Sequence, residues 1–205
     1  MDTNNLGNEF SQIIDNFLPE EQFNNLYDFM MTPGKMSWKY NDVVDYEGST
    51  GDRFQLTHTF FDSPQGIVSP ISEIIQPFID LLKIKVIIRI KANLNVKCGE
   101  KGRETKFHYD HEFVGSKLPD GTLTSFTAIY YVNTNNGYTL FKDGNFKVDS
   151  VANRLVIFDS SKLHKGVRCT DEKIRVVINF NYFTFNYGST DQTAASIKRF
   201  NEANA

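Results

Sequence analysis

The chain has 205 residues, 25 acidic and 22 basic side chains, and 14% aromatic residues, which suits one domain with a sizeable core. The formal net charge of −3 excludes a uniformly basic protein built for nonspecific nucleic-acid binding. Two cysteines, Cys98 and Cys169, make no disulfide framework and no zinc-ligand spacing.

Residues 8–31 read as amphipathic helix, with Phe10, Ile13, Ile14 and Phe17 at helical spacing and a fresh helix start at Pro19-Glu20-Glu21. Residues 32–53 form a long polar loop carrying Trp38 and Tyr40. Long loops bearing aromatics serve as lids or binding loops, so these two are candidate substrate-binding residues, with core packing of the Trp as the competing reading. Phe54–Phe61 alternates like a strand, and His58 shares the parity of Phe54, Leu56 and Phe60, which marks it as a packed structural residue. Residues 69–83 resemble a helix. From Lys85 the chain turns β: Arg89, Lys91, Asn93 and Asn95 alternate with Ile88, Ile90, Ala92, Leu94 and Val96. Further strands are expected at Thr124–Val132, Tyr138–Phe141, Phe146–Val148, Leu155–Phe158 and Ile174–Phe185, with hairpin turns at Asn136-Gly137 and Asp143-Gly144. The tail from Thr190 to Ala205 is polar.

Short strands behind helices confined to the first 83 residues predict a mainly β sandwich or barrel with helical support. One domain over 1–205 is expected: helical support and a lid loop over 1–83, a β core over 84–187 and a tail over 188–205. Charge is uneven within it. Residues 1–82 carry 13 acidic and 3 basic side chains, whereas residues 83–117 carry 9 basic and 4 acidic ones, which predicts a basic flank around His108 and Asp110. No apolar run is long enough for a membrane helix. The opening Met1-Asp2-Thr3-Asn4-Asn5 lacks a signal-peptide layout, so a cytoplasmic location is expected.

The chemistry-bearing residues are His108-x-Asp110, His164 and Arg175. On extended backbone, residues two apart share a face, so His108 and Asp110 can grip one ion. His164 supplies a second imidazole where an apolar strand meets a polar turn. Two imidazoles and one carboxylate suit iron(II) and leave positions open for a co-substrate and dioxygen. Arg175, on the last apolar run, can hold a keto-acid's far carboxylate through a two-pronged guanidinium contact. His111 points away from His108 and reads as an outward or supporting residue; Glu112 reads as a rim residue.

In this order, His108-x-Asp110, His164 and Arg175 resemble the iron(II)/2-oxoglutarate dioxygenases, in particular their prolyl 4-hydroxylase-like branch. Thr127–Asn133 resembles the family's strand after the first ligand pair. Asn136-Gly137-Tyr138-Thr139-Leu140-Phe141 resembles its Gly-Gly-x-Thr-x-Phe hairpin, with Asn136 in place of the first Gly. Leu155–Phe158 through His164-Lys165-Gly166 resembles its strand into the second His. The likeness spans residues 86–183 and extends to the small oxygenases of this type carried by marine bacteriophages. It implies a double-stranded β-helix, a cupin-like jelly roll. It implies His108, Asp110 and His164 as metal ligands and catalytic centre. Arg175 and Tyr131 are implied to hold the distal carboxylate of 2-oxoglutarate, with Thr139 lining that pocket and Asn93 and Asn95 on the co-substrate strand. A Tyr is common in the family where Asn95 stands. Iron(II), 2-oxoglutarate and dioxygen are the implied cofactor and co-substrates, with ascorbate as an optional reductant.

The implied reaction is hydroxylation of an unactivated C–H bond, with succinate and carbon dioxide as co-products, on a peptidyl side chain with proline first. The intact carboxylate ligand favours hydroxylation over halogenation. Hydroxylation or demethylation of a nucleic-acid base or small metabolite is the alternative, kept open by the basic stretch, Trp38 and Tyr40. Against a base substrate stand the overall acidity and the presence of Asn181 and Tyr182 where base-repair members carry a second Arg. A non-catalytic jelly-roll binding module is the third reading.

Overall fold

The computed structural model describes residues 11–42, 54–69, 72–99, 104–111 and 123–185. Its elements in chain order are β1 (Ser11–Ile14), α1 (Glu20–Met31), β2 (Lys39–Asn41), β3 (Gln55–Asp62), β4 (Gly66–Ile67), α2 (Gln76–Leu81), β5 (Val86–Val96), β6 (Leu123–Tyr131), β7 (Tyr138–Phe141), β8 (Lys147–Asp149), β9 (Arg154–Asp159), β10 (His164–Val167) and β11 (Ile174–Phe185). The large sheet runs β1-β9-β6-β11-β5-β3-β2 with β4 on β3, and the small one runs β10-β7-β8. Every pairing is antiparallel. The two sheets form a jelly roll. Glu112, most of the expected lid loop (43–53) and the tail (190–205) lie outside the described residues.

Strand alternation divides the large sheet into two working faces. On β5 and β11, Ile90, Ala92, Leu94, Val176, Ile178 and Phe180 point to the helices and join Leu26, Met30, Phe78 and Leu82 in the principal core. The opposite face meets the small sheet: Ile129, Tyr131, Val156, Phe158 and Val177 pack with Phe141 and Val148. That second face carries Lys91, Asn93, Asn95 and Arg175, so site residues share a wall with a dry core rather than standing on mobile loops.

One expected helix is corrected. Ser11–Ile14 is a strand paired with β9, and the helix begins only at Glu20. Asn16 sits in the left-handed region at φ 52°, which no helix interior tolerates cheaply. The turn is pinned from a distance, since the Leu18 amide donates to Asn153 Oδ1 (2.9 Å) and Asn153 Nδ2 donates to the Leu18 carbonyl (2.9 Å). The helix expected over 69–83 is a 3-10 turn (Ser72–Ile74) followed by α2. His58 is structural, its ring nitrogens bonded to the Ser37 carbonyl (2.7 Å) and Ser69 Oγ (2.9 Å).

Candidate metal centre and co-substrate pocket

His164 opens β10, and the segment holding His108 lies antiparallel beside it. The two histidines are paired across this bridge, exchanging backbone hydrogen bonds of 2.9 and 3.2 Å. Directly paired residues on antiparallel chains project to the same side, and the imidazole centroids are 5.0 Å apart. Each Nδ1 is bonded to a carbonyl two residues back, His108 to Lys106 (3.0 Å) and His164 to Lys162 (3.1 Å). A carbonyl can only accept, so each Nδ1 carries the proton and each Nε2 offers a lone pair. Both Nε2 atoms face one carboxylate oxygen, Asp110 Oδ1, at 3.6 and 3.7 Å.

Asp110 reaches this point from a bend two residues past His108. Its other oxygen, Oδ2, accepts from Asn181 Nδ2 (3.1 Å) and, at 3.5 Å, from Asn179 Nδ2, both on β11. Asn181 Nδ2 is also within 3.2 Å of Thr127 Oγ1. Burial disfavours the Asp110 carboxylate, but wherever the imidazoles of His108 and His164 carry a second proton on Nε2, their hydrogen bonds and charge outweigh it and hold the carboxyl well below its usual range. The ligand atoms of the three residues lie within 4.8 Å of one another, the one such group among the described residues. His164 Nε2 is buried without a hydrogen-bond partner among the described residues. An orphaned buried lone pair beside a buried carboxylate is costly unless a cation fills the space between them, so the donor set fits a divalent metal.

The asparagines are functional residues that sequence reasoning misses. In the sequence Asn181 signifies only a missing arginine, and nothing local reveals that it holds a carboxylate 71 positions away. Outer-shell partners of a ligand typically cost about 10–100-fold in metal affinity when removed. Asn181→Ala is therefore expected to weaken Mn(II) binding by about that factor, read by competition with a chelator; unchanged affinity would leave Asn181 a packing residue.

A cavity of about 360 Å³ runs from the triad to Arg175. Arg175 is buried; its Nε donates to Ser150 Oγ (2.9 Å), its Nη2 to Thr139 Oγ1 (3.4 Å), and its guanidinium lies 5.6 Å from the Tyr131 ring centre. No carboxylate among the described residues pairs with it. Desolvation lowers its pKa, with Tyr131 partly opposing. Thr139 Oγ1 also accepts from the Tyr131 hydroxyl (2.8 Å). With both lone pairs engaged, the Thr139 hydroxyl proton is left to donate into the cavity its side chain lines. The far end of the cavity thus offers donors and a fixed positive charge, the complement of a carboxylate.

The expected pocket residues divide into two groups. Asn93, Asn95, Thr139 and Arg175 line the cavity together with His108, Asp110 and His164. Tyr131 stands behind the wall, supporting Thr139 and Arg175, its phenol pushed up to about 12 by burial. Trp38 packs against the principal core, and Tyr40 is 67% exposed on the edge strand β2, packed against Phe54. Neither lines the cavity.

Two turn residues shape the pocket. A Cβ on Gly137 would stand 2.7 Å from the Val167 carbonyl oxygen and from Arg175 Cδ. Gly137→Ala is expected to destabilise the fold by about 1–3 kcal/mol through overpacking, measured by chemical denaturation; unchanged stability would mean the hairpin shifts freely. Asn136 has its own work: its amide bonds Thr170 on both sides, and its backbone N–H donates to Asp171, tying the hairpin to the loop before β11.

The cavity wall is strongly basic. Among the described residues Arg89, Lys91, Lys106, Arg168 and Arg175 line it, against the single carboxylate of Asp110. Arg89 Nη2 donates to the Asp110 backbone carbonyl (2.6 Å), and its Nε is buried without a partner.

No protein-family model matches the chain, and no curated protein matches it in sequence. Solved structures do match in fold. The viral collagen prolyl hydroxylase of Paramecium bursaria Chlorella virus-1, solved with 2-oxoglutarate, is 14% identical at a TM-score of 0.55, covering 86% of this chain and 97% of that one. A Trichoplax adhaerens prolyl hydroxylase, bound to a hypoxia inducible factor peptide fragment, is 16% identical at 0.55, covering 94% and 89%. An alpha-ketoglutarate-dependent carbocyclase of nogalamycin biosynthesis, SnoK, is 13% identical at 0.54, covering 95% and 92%. The chain has the fold of the 2-oxoglutarate–iron(II) oxygenases.

Proposed function

We propose that the protein is an iron(II)/2-oxoglutarate-dependent dioxygenase that hydroxylates an unactivated C–H bond, with a peptidyl side chain, proline first, as the leading substrate class. The observation that carries this reading is the pairing of two binding sets in one cavity: two imidazoles and one carboxylate with converging ligand atoms and, at its far end, a buried guanidinium that no carboxylate among the described residues pairs with. Either alone has bland explanations. Together they suit a metal and a keto-acid lying between it and Arg175.

His108, Asp110 and His164 would hold the ion through Nε2, one carboxylate oxygen and Nε2. With iron(II), 2-oxoglutarate and dioxygen bound, the site would decarboxylate the keto-acid to succinate and carbon dioxide and place one oxygen atom in the substrate C–H bond. The protein's part is positional. Lys106 and Lys162 carbonyls fix the imidazole tautomers, Asn181 and Asn179 aim Asp110, and Arg175 with Thr139 fixes the keto-acid's far end.

The peptide assignment is supported by fold neighbours that act on or bind peptides, including one solved with a hypoxia inducible factor fragment, and it shares its fold with a small-molecule carbocyclase. The base-modifying alternative loses support, because Trp38 packs against the core and does not line the cavity. The test is succinate formation from 2-oxoglutarate, with and without iron(II), across prolyl peptides, oligonucleotides and small acids. Iron-dependent succinate raised by prolyl peptides supports the full reading. Stimulation by another class replaces the substrate, and iron-independent or absent succinate overturns the enzyme.

A further inference from the structure

Along the cavity face of β5, side chains descend in register with β11: Asn95 opposite Arg175, Asn93 opposite Val177, Lys91 opposite Asn179 and Arg89 opposite Asn181. Asn179 and Asn181 are the two amides that hold Asp110. Lys91 and Arg89 are therefore level with the metal ligands, at the other end of the cavity from Arg175. Four residues separate the level of Arg175 from that of Lys91, roughly 13 Å of strand. A five-carbon diacid spans at most about 6 Å between its carboxyl carbons, four bonds of about 1.5 Å each. A keto-acid reaching from Arg175 to the metal would spend one carboxylate on each end and leave none of its own for Lys91.

Lys91 is partly buried, lines the cavity, and makes no hydrogen bond or ion pair with any described residue. Its cross-strand neighbours are Asn179 and Thr59, neither of them acidic. Arg89 beside it spends one N–H on a backbone carbonyl and keeps a buried, unpartnered Nε. Asp62 is the carboxylate directly across from Arg89 on β3, and it pairs with neither cation within 4 Å. Two partly buried cations without a directly paired anion repel each other and lose hydration. Burial and the Arg89 charge push the Lys91 amine below its usual range, with the more distant Asp110 and Asp62 carboxylates only partly opposing. Such an arrangement is stable to keep where a third, negative group completes it.

We propose that Lys91, with Arg89, forms a second oxyanion site beside the metal centre, and that the substrate carries a carboxylate or phosphate there. The inference rests on the oxygenase reading for the word substrate, while the anion site itself stands on Lys91 and Arg89. An acidic residue next to the reacting residue of a peptide would meet it, as would the head group of a small acid.

The experiment uses the full chain loaded with Mn(II) and 2-oxoglutarate, titrated calorimetrically with methyl phosphate and, separately, acetate. Saturable binding of at least one is expected, and the tighter of the two identifies the oxyanion. Lys91→Gln and Lys91→Met should each weaken it at least tenfold, and Lys91→Arg should restore it. Melting curves confirm that each variant folds, and agreement between the two neutral variants separates lost charge from lost packing. The ³¹P relaxation of bound methyl phosphate should be accelerated by Mn(II), placing the site beside the metal. No saturable binding of either anion, or binding unchanged in both neutral variants, overturns the proposal. Electron paramagnetic resonance on the same samples reports Mn(II) binding. If the metal does not bind, the oxygenase reading fails, and the calorimetry repeated on metal-free protein decides the anion site alone.

Discussion

Asp110→Ala is expected to abolish metal-dependent consumption of 2-oxoglutarate while the chain still folds. Among the described residues its carboxylate is the one negative group in a cavity walled by five cationic side chains, and one of its oxygens faces both ligand imidazoles. Removing it leaves two neutral nitrogens to hold a dication among positive charges. Loss of an outer-shell partner costs about 10–100-fold in metal affinity, so loss of a ligand should cost at least a hundredfold, measured with Mn(II) against a chelator. The effect on the fold is smaller. Asn179 loses its acceptor while Asn181 keeps Thr127 Oγ1; an amide left unsatisfied costs about 1–3 kcal/mol, a drop of several degrees in Tm at this chain length. Metal affinity retained in Asp110→Ala would place the ion elsewhere.

Arg175→Met carries the second large effect, and its sign depends on the ligand. In the ligand-free protein Arg175 is a buried cation with neutral partners only, Ser150, Thr139 and the Tyr131 ring. Replacing buried charge by an apolar side chain of similar size is often neutral or stabilising, so the ligand-free Tm should hold or rise. With 2-oxoglutarate present the order reverses. Truncating a buried, charge-paired contact costs about 2–5 kcal/mol of binding, so the apparent 2-oxoglutarate requirement should rise roughly 30- to 5000-fold. The Tm increase that 2-oxoglutarate gives the parent protein should vanish with it. An unchanged requirement would remove Arg175 from co-substrate binding, and a large Tm loss without ligand would make it a structural residue.

The triad and its anchor are legible in the sequence because their chemistry is written in residue type and their placement in strand parity. Arg175 lies on an apolar run whose alternation sets which face each side chain takes, and the β5–β11 register keeps that alternation from Ile174 to Asn181. The β1 strand is not legible. Phe10, Ile13, Ile14 and Phe17 fit helical spacing, and four residues are too few for periodicity to decide. The decision comes from β9 and from Asn153, far along the chain. The strand β10, His-Lys-Gly-Val, has no strand signature of its own; pairing with β7 and with the His108 segment makes it one. The same holds within the site. Lys91 and Arg89 read only as part of a basic flank until β11 sets them level with the residues that hold Asp110, and the sequence does not reveal that the Tyr131 hydroxyl donates to Thr139.

The most direct test is anaerobic titration of the purified protein with iron(II) and then 2-oxoglutarate, followed in the visible region. A weak charge-transfer band, saturating at one equivalent of each and missing in Asp110→Ala, is expected if the keto-acid chelates iron held by His108, Asp110 and His164. A folded protein that shows no band at saturating iron and 2-oxoglutarate would contradict the oxygenase and leave a jelly roll that binds without catalysing.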